Sequence, residues 1–126
     1  MRTSRCRVAV LFGLLLLLLP ATACDESLES LPEMAWGTWT TRHDRYPGNY
    51  LTLSAKSVVF GQTGGTEHRA NIQRVEVDYH RKGMIYRMDC FAPLEGAEYQ
   101  FSVIVSDKEG GRLYLENRPQ ATWWRR

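Results

Sequence analysis

No connection between the strand-like runs from Trp36 to Trp124 is long enough to carry the chain back across a sheet. The links are Ser54-Ala55-Lys56, a turn at Gly64-Gly65, Arg81-Lys82-Gly83, Pro93 to Gly96, Gly110-Gly111 and Arg118-Pro119-Gln120. A parallel crossover needs a dozen residues or more, so links this short join antiparallel neighbours. The runs are read at Trp36–Thr41, Tyr50–Leu53, Ser57–Phe60, Ala70–Tyr79, Met84–Phe91, Glu98–Val105, Arg112–Glu116 and Ala121–Trp124. In the sixth, Tyr99, Phe101, Val103 and Val105 share a face opposite Gln100 and Ser102. In the fourth, Val75, Val77 and Tyr79 oppose Arg74, Glu76 and Asp78, a charged face that excludes burial on both sides. Eight antiparallel strands in sequence leave two exposed edges unless the sheet closes. The expected fold class is therefore all-β, a small eight-stranded antiparallel up-and-down barrel over residues 35–126. A two-sheet sandwich is the structural rival.

The first 23 residues belong to a different problem. Arg2, Arg5 and Arg7 precede an unbroken apolar run, Val8 to Leu19. Twelve helical residues reach about 18 Å, short of a ~30 Å hydrocarbon core, so an export signal is expected and not a membrane span. Ala21-Thr22-Ala23-Cys24 then fits two endings. Small residues at Ala21 and Ala23 suit ordinary cleavage after Ala23, which leaves Cys24 free to bond Cys90 in an oxidising compartment. The same stretch resembles a bacterial lipobox, departing from it at Ala21, where Leu is usual. That resemblance implies cleavage before Cys24, acylation of Cys24 and attachment to a membrane of the bacterial cell envelope on its periplasmic side. Asp25 in that position resembles an inner-membrane retention signal, and the choice of membrane stays open.

Removal of the signal alters the charge argument. The whole chain is +2, but three of its 16 basic residues leave with residues 1–23, so 13 face 14 acids from Cys24 onward. A net charge of −1 gives no support to nucleic-acid binding. Residues 25–33 are acidic and lack aromatics, and together with Cys24 and Met34 they are expected to form a tether, 24–34; a short helix around Leu28 and Leu31, ended by Pro32, is the alternative.

Gly37-Thr38-Trp39 opens the first strand, and a Gly-x-Trp there resembles the lipocalin hallmark. The resemblance covers three to five residues, and the Thr-Asp-Tyr motif that usually follows is absent. It implies that Trp39 packs across the closed end of the barrel, with an arginine of the last strand, Arg125 or Arg126, lying over it. It also implies a lumen able to hold a small hydrophobic ligand. Small barrels of this kind, including bacterial lipoproteins that inhibit proteases or lysozyme, are plausible relatives.

Strand parity gives such a barrel a direction. Loops 41–49, 61–69, 92–97 and 117–120 fall at one end; loops 54–56, 80–83 and 106–111 fall at the other, with both chain termini. The first end is the expected mouth, framed by His43, Asp44, Tyr46, His68, Arg69, Glu95 and Arg118 and facing away from the membrane. The second carries Lys56, Arg81, Lys82, Lys108, Arg125 and Arg126 against Asp107 and Glu109. With Trp123 and Trp124 it could orient the barrel on an anionic leaflet, although Trp123 is also a candidate for the closing strand's core.

No catalytic motif, phosphate-binding glycine loop or paired-cysteine metal pattern occurs, and neither an enzyme activity nor a cofactor is expected. His43, His68, Asp44 and Glu67 could in principle hold Zn²⁺, but solvated loop histidines explain them more simply, and no metal is expected. Asp78 and Asp89 are read as cross-strand partners of Arg74 or Arg87. Two functions remain. One is a carrier of a small hydrophobic ligand in the envelope, unless Phe60, Tyr99 and Phe101 fill the lumen. The other is an interaction module, such as an inhibitor of a periplasmic or host enzyme, using Arg45 and Tyr46 of loop 41–49.

Overall fold

The structure is a computed structural model and describes residues 27–43, 46 and 48–126. The expected signal, Cys24, and Asp44 and Arg45 of the first long loop lie outside the described residues. Among the described residues no helix is long and apolar enough to cross a membrane.

Strand β1 (Ser27–Leu28) and a 3-10 turn (Glu33–Ala35) precede β2 (Gly37–Thr41), β3 (Asn49–Leu53) and β4 (Ser57–Gln62). The long strands β5 (Glu67–His80), β6 (Gly83–Ala92) and β7 (Ala97–Ser106) follow, then a 3-10 turn (Lys108–Gly110), β8 (Arg112–Leu115) and β9 (Arg118–Arg125). From β2 to β9 each strand pairs antiparallel with the next, and β2 pairs with β9 through Trp39↔Arg125, Thr40↔Trp124 and Thr41↔Trp123. The ring is closed, so the fold is an eight-stranded up-and-down barrel and not a sandwich. All eight expected strands are present, most of them a residue or more longer than read.

Alternation sorts the two faces. Inward, Tyr86, Met88 and Cys90 of β6 meet Val103 and Val105 of β7 and Leu113 of β8 in one buried core. Outward, Arg74 holds Glu76 at 2.6 Å and Asp89 at 3.3 Å, while Arg87 holds Asp78 at 3.1 Å and Glu116 at 3.0 Å. Asp78 and Asp89 are thus cross-strand ion-pair partners. The Tyr79 backbone N–H, followed by the Arg87 guanidinium, holds the Asp78 carboxyl below its ordinary range. On the same outer surface Ile85, Ile104 and Tyr114 stack in register into a small second apolar cluster.

The N-terminal segment departs from the tether expected over residues 24–34. From Ser27 onward it is the floor of the barrel. Ser27 and Leu28 pair with Glu76 and Val75, continuing the ladder on β5 below the point where β4 ends. The Leu31 N–H donates to the Ala55 carbonyl (2.8 Å), and the Leu31 and Ala35 side chains are fully buried. The physical reason is simple: Leu31 and Ala35, with Leu28 partly buried beside them, are apolar, and the open base of the barrel is where they escape water. Glu29 and Glu33 stay outside, so this end carries four acids where two were counted from sequence.

Three smaller differences follow from strand length. Trp36 precedes β2, half-exposed, with its indole donating to the Leu31 carbonyl (2.8 Å). Tyr79 has inward parity but is 78 % exposed, because the β5–β6 hairpin runs on past the floor. Arg118 starts β9, leaving only the tight turn Glu116–Asn117 where loop 117–120 was expected.

Candidate functional site

The lower half of the barrel is solid. Trp39 is fully buried at the base, and its indole N–H donates to the Ala35 carbonyl (3.1 Å). The Arg125 guanidinium lies 4.5 Å from the centre of the Trp39 ring, and its Nη2 donates to the Met34 carbonyl (2.7 Å). Gly37 stands beside it at φ +131°, a backbone conformation that side chains rarely adopt; a Cβ there would only touch the Arg125 side chain, at 3.5 Å. Of the two arginines proposed for this role the structure selects Arg125; Arg126 contributes a backbone N–H bond to Thr38 (2.7 Å). The Gly-x-Trp geometry expected of the closed end is therefore present, and both described termini meet there.

The upper half is hollow. A cavity of about 510 Å³ opens among the mouth loops. Its walls are Val58 and Phe60 of β4, Ala92 of β6, Phe101 of β7 and Leu115 of β8. Around its rim stand Tyr46, His68, Arg69, Glu95, Tyr99 and Asn117. The large inward residues Phe60, Tyr99 and Phe101 line the space without filling it; Phe60 lies opposite Leu51 and Phe101 opposite Met88, so both border the packed core. Burial pushes the Tyr99 hydroxyl above its ordinary range.

Of the residues expected at the mouth, Tyr46, His68, Arg69 and Glu95 line the cavity together. His68 Nδ1 lies 3.8 Å from the Glu95 carboxylate, a rim pair open to solvent. His43 does not line the cavity; its ring packs on Tyr46, centroids 5.8 Å apart. Arg118 does not line it either, because it is drawn into β9 opposite Leu115. Glu67 is engaged on the outside as the acceptor for Tyr50 Oη, which raises the Tyr50 phenol above its usual range. No cluster of three or more His, Cys, Asp or Glu side chains suited to a metal ion is found among the described residues. His80, at the opposite end, accepts the Lys82 N–H on its Nδ1 (3.1 Å).

Aromatic packing at the mouth goes deeper than the sequence indicates. Tyr46 comes from the loop, yet its ring packs 5.5 Å from that of Trp123, which Phe60 flanks at 6.2 Å. Trp123 is fully buried behind these two rings, which line the cavity. Trp124, its neighbour, points outward under the Arg42 guanidinium, 5.4 Å from the ring centre. The inward parity of Trp123 between Ala121 and Arg125 is the signal that marks it. Cys90 also faces inward; burial pushes its thiol up to about 11, so it is a packing residue and not a nucleophile.

These features define a class: a closed eight-stranded antiparallel barrel, compatible with a lipocalin-like fold, sealed at one end and hollow at the other. No family model, curated protein or solved structure matches this chain.

Proposed function

We propose that this chain is an exported, lipid-anchored envelope protein whose barrel holds a small, largely apolar molecule. The observation that carries the reading is the cavity of about 510 Å³, apolar in its walls and open at the loop end. Pockets that hold compact organic ligands have volumes of roughly 300–1,000 Å³ and a lining of this kind, with few polar groups at the edge. A barrel whose purpose was structural would gain stability by filling that space, since voids cost packing energy.

The address rests on the amino-terminal segment, with its lipobox-like Cys24. Three residues from Cys24 to Ser27 reach at most about 10 Å. An acyl group on Cys24 would hold the sealed end close to the headgroups and turn the mouth outward. Surface charge adds little to this orientation, because six cations at that end face four acids and Arg125 is already committed to Trp39 and Met34. Two acyl chains suffice for stable anchoring by themselves.

Native mass spectrometry of the protein extracted from bacterial membranes tests both parts together. The reading expects a covalent mass increment of acyl chains on Cys24 and a separate non-covalent adduct lost on unfolding. A chain that begins at Asp25 or carries an unmodified Cys24 removes the anchor. A cavity that admits no apolar probe removes the ligand.

A further inference from the structure

Trp123 holds the one feature of the lumen that the cavity alone does not explain. Its indole Nε1 is buried and has no hydrogen-bond partner among the described residues. The other two indoles whose bonds are described end on backbone carbonyls, Trp36 on Leu31 and Trp39 on Ala35. A buried donor left unsatisfied is costly, and tryptophan is normally buried only where its N–H finds an acceptor. The flanking rings of Tyr46 and Phe60 offer at most a weak N–H···π contact.

The position of this donor is informative. Tyr46 and Phe60 line the cavity on one side and pack against Trp123 on the other. Phe60 is fixed in β4, whereas Tyr46 belongs to the loop between β2 and β3. A molecule that moved the Tyr46 ring aside would reach the indole from the cavity.

We infer that the ligand of this barrel is a neutral apolar molecule bearing a carbonyl acceptor, which it inserts beneath Tyr46 to take the Trp123 N–H. The inference rests on the ligand-holding reading above and narrows its chemistry. Neutrality of the inserted end follows from its surroundings: Val58, Phe60, Phe101 and Leu115 supply no charge, the Arg125 guanidinium is held on the Trp39 ring at the floor, and the charged groups of the lining, His68, Arg69 and Glu95, stand at the rim. A carboxylate at that depth would have a single donor against the full cost of losing its hydration. Ketones, esters, aldehydes and quinones meet both requirements; free fatty acids and simple hydrocarbons each fail one.

The test uses the whole exported chain with Cys24→Ser, which keeps every residue of the described structure and leaves acyl chains and detergent out of the assay. Two probes of matched shape are 6-propionyl-2-(dimethylamino)naphthalene and its 6-propyl counterpart, which lacks the carbonyl. One hydrogen bond of ordinary net strength corresponds to about a five- to tenfold preference for the ketone. Trp123→Phe should abolish that preference while leaving the propyl probe's affinity within about twofold. In ¹⁵N–¹H spectra of the protein with Trp123 intact, the ketone should move the Trp123 indole resonance downfield and leave those of Trp36 and Trp39 in place. Trp36→Phe and Trp124→Phe, both at exposed positions, narrow the assignment should Trp123→Phe not fold. Equal binding of the two probes with an unmoved Trp123 resonance overturns the carbonyl assignment and leaves the carrier reading standing. Failure of both probes to bind at all overturns both.

Discussion

Replacing Arg125 by Met tests whether the floor of the barrel is held as its geometry implies. The substitution keeps an unbranched stem over Gly37 and the Trp39 ring and deletes only the guanidinium. Two interactions are lost. A cation over an indole at a solvent-open site contributes about 0.5–1 kcal/mol. A hydrogen bond from a charged donor contributes about 1.5–3 kcal/mol, and the solvent-open bond from Nη2 to the Met34 carbonyl belongs at the low end of that range. The Met34 carbonyl can turn to water, so no buried acceptor is stranded. The expected cost is about 2 kcal/mol, or a fall of roughly 10 °C in Tm for a domain of this size. Urea unfolding followed by tryptophan fluorescence should show a lower midpoint with an unchanged slope. Arg126→Met is the internal control: its bond to Thr38 uses the backbone, so the change should stay within about 0.5 kcal/mol. A cost under about 0.5 kcal/mol for Arg125→Met, or equal costs for the two variants, would refute the closure argument.

Leu31→Ala should cost about 2–5 kcal/mol in the same assay, since Leu31 is 1 % exposed; a mere tether would show nothing. Gly83→Ala places a Cβ 2.2 Å from the Val105 carbonyl oxygen, so the β5–β6 hairpin must shift. A loss above about 3 kcal/mol, or failure to express as folded protein, is expected. Burial raises the Cys90 thiol from 9.0 to about 11, so the folded state keeps a proton that the unfolded chain sheds. Its contribution is intact below pH 9 and is lost as pH climbs towards 11, by on the order of 2–3 kcal/mol. The comparison of wild type with Cys90→Ala between pH 8 and pH 11 isolates that slope, and parallel curves would contradict it. At the rim, His68→Ala should change stability by less than about 0.5 kcal/mol, because its contact with Glu95 is solvated; a larger loss would place the pair inside the fold.

Most of the barrel was legible because strands announce themselves through alternation, and short links forbid anything but antiparallel neighbours. The inward set on β7 and the charged outer set on β5 came through unchanged. Gly37 and Trp39 marked the sealed end, and parity then placed Tyr46, His68, Arg69 and Glu95 at the other. What stayed hidden has a misleading period. Leu28, Leu31 and Ala35 stand at i, i+3 and i+7, a helical spacing that Pro32 interrupts, and the acids between them imitate a solvated linker. Only the three-dimensional gap beneath the barrel explains why they are buried. The cavity was equally unreadable, since three large aromatics on inward positions predict a full lumen, and only the three-dimensional course of their side chains leaves the space open. Arg118 misled for a smaller reason: a two-residue turn drew into β9 a position that looked like loop.

The seam of the barrel has a consequence for how the molecule is made. Thr41 Oγ1 donates to the Thr122 carbonyl, 81 positions further along, and the first strand of the ring finds its second neighbour only in the last. Until that final strand is available, β2 presents a bare edge and Trp39 lacks its arginine cover. Local hairpins such as β5–β6 and β6–β7 can assemble early, but closure is a late, long-range event of the kind that makes all-β chains slow to fold. Nascent or truncated forms would therefore be sticky intermediates, in need of a chaperone's protection, rather than smaller versions of the finished protein.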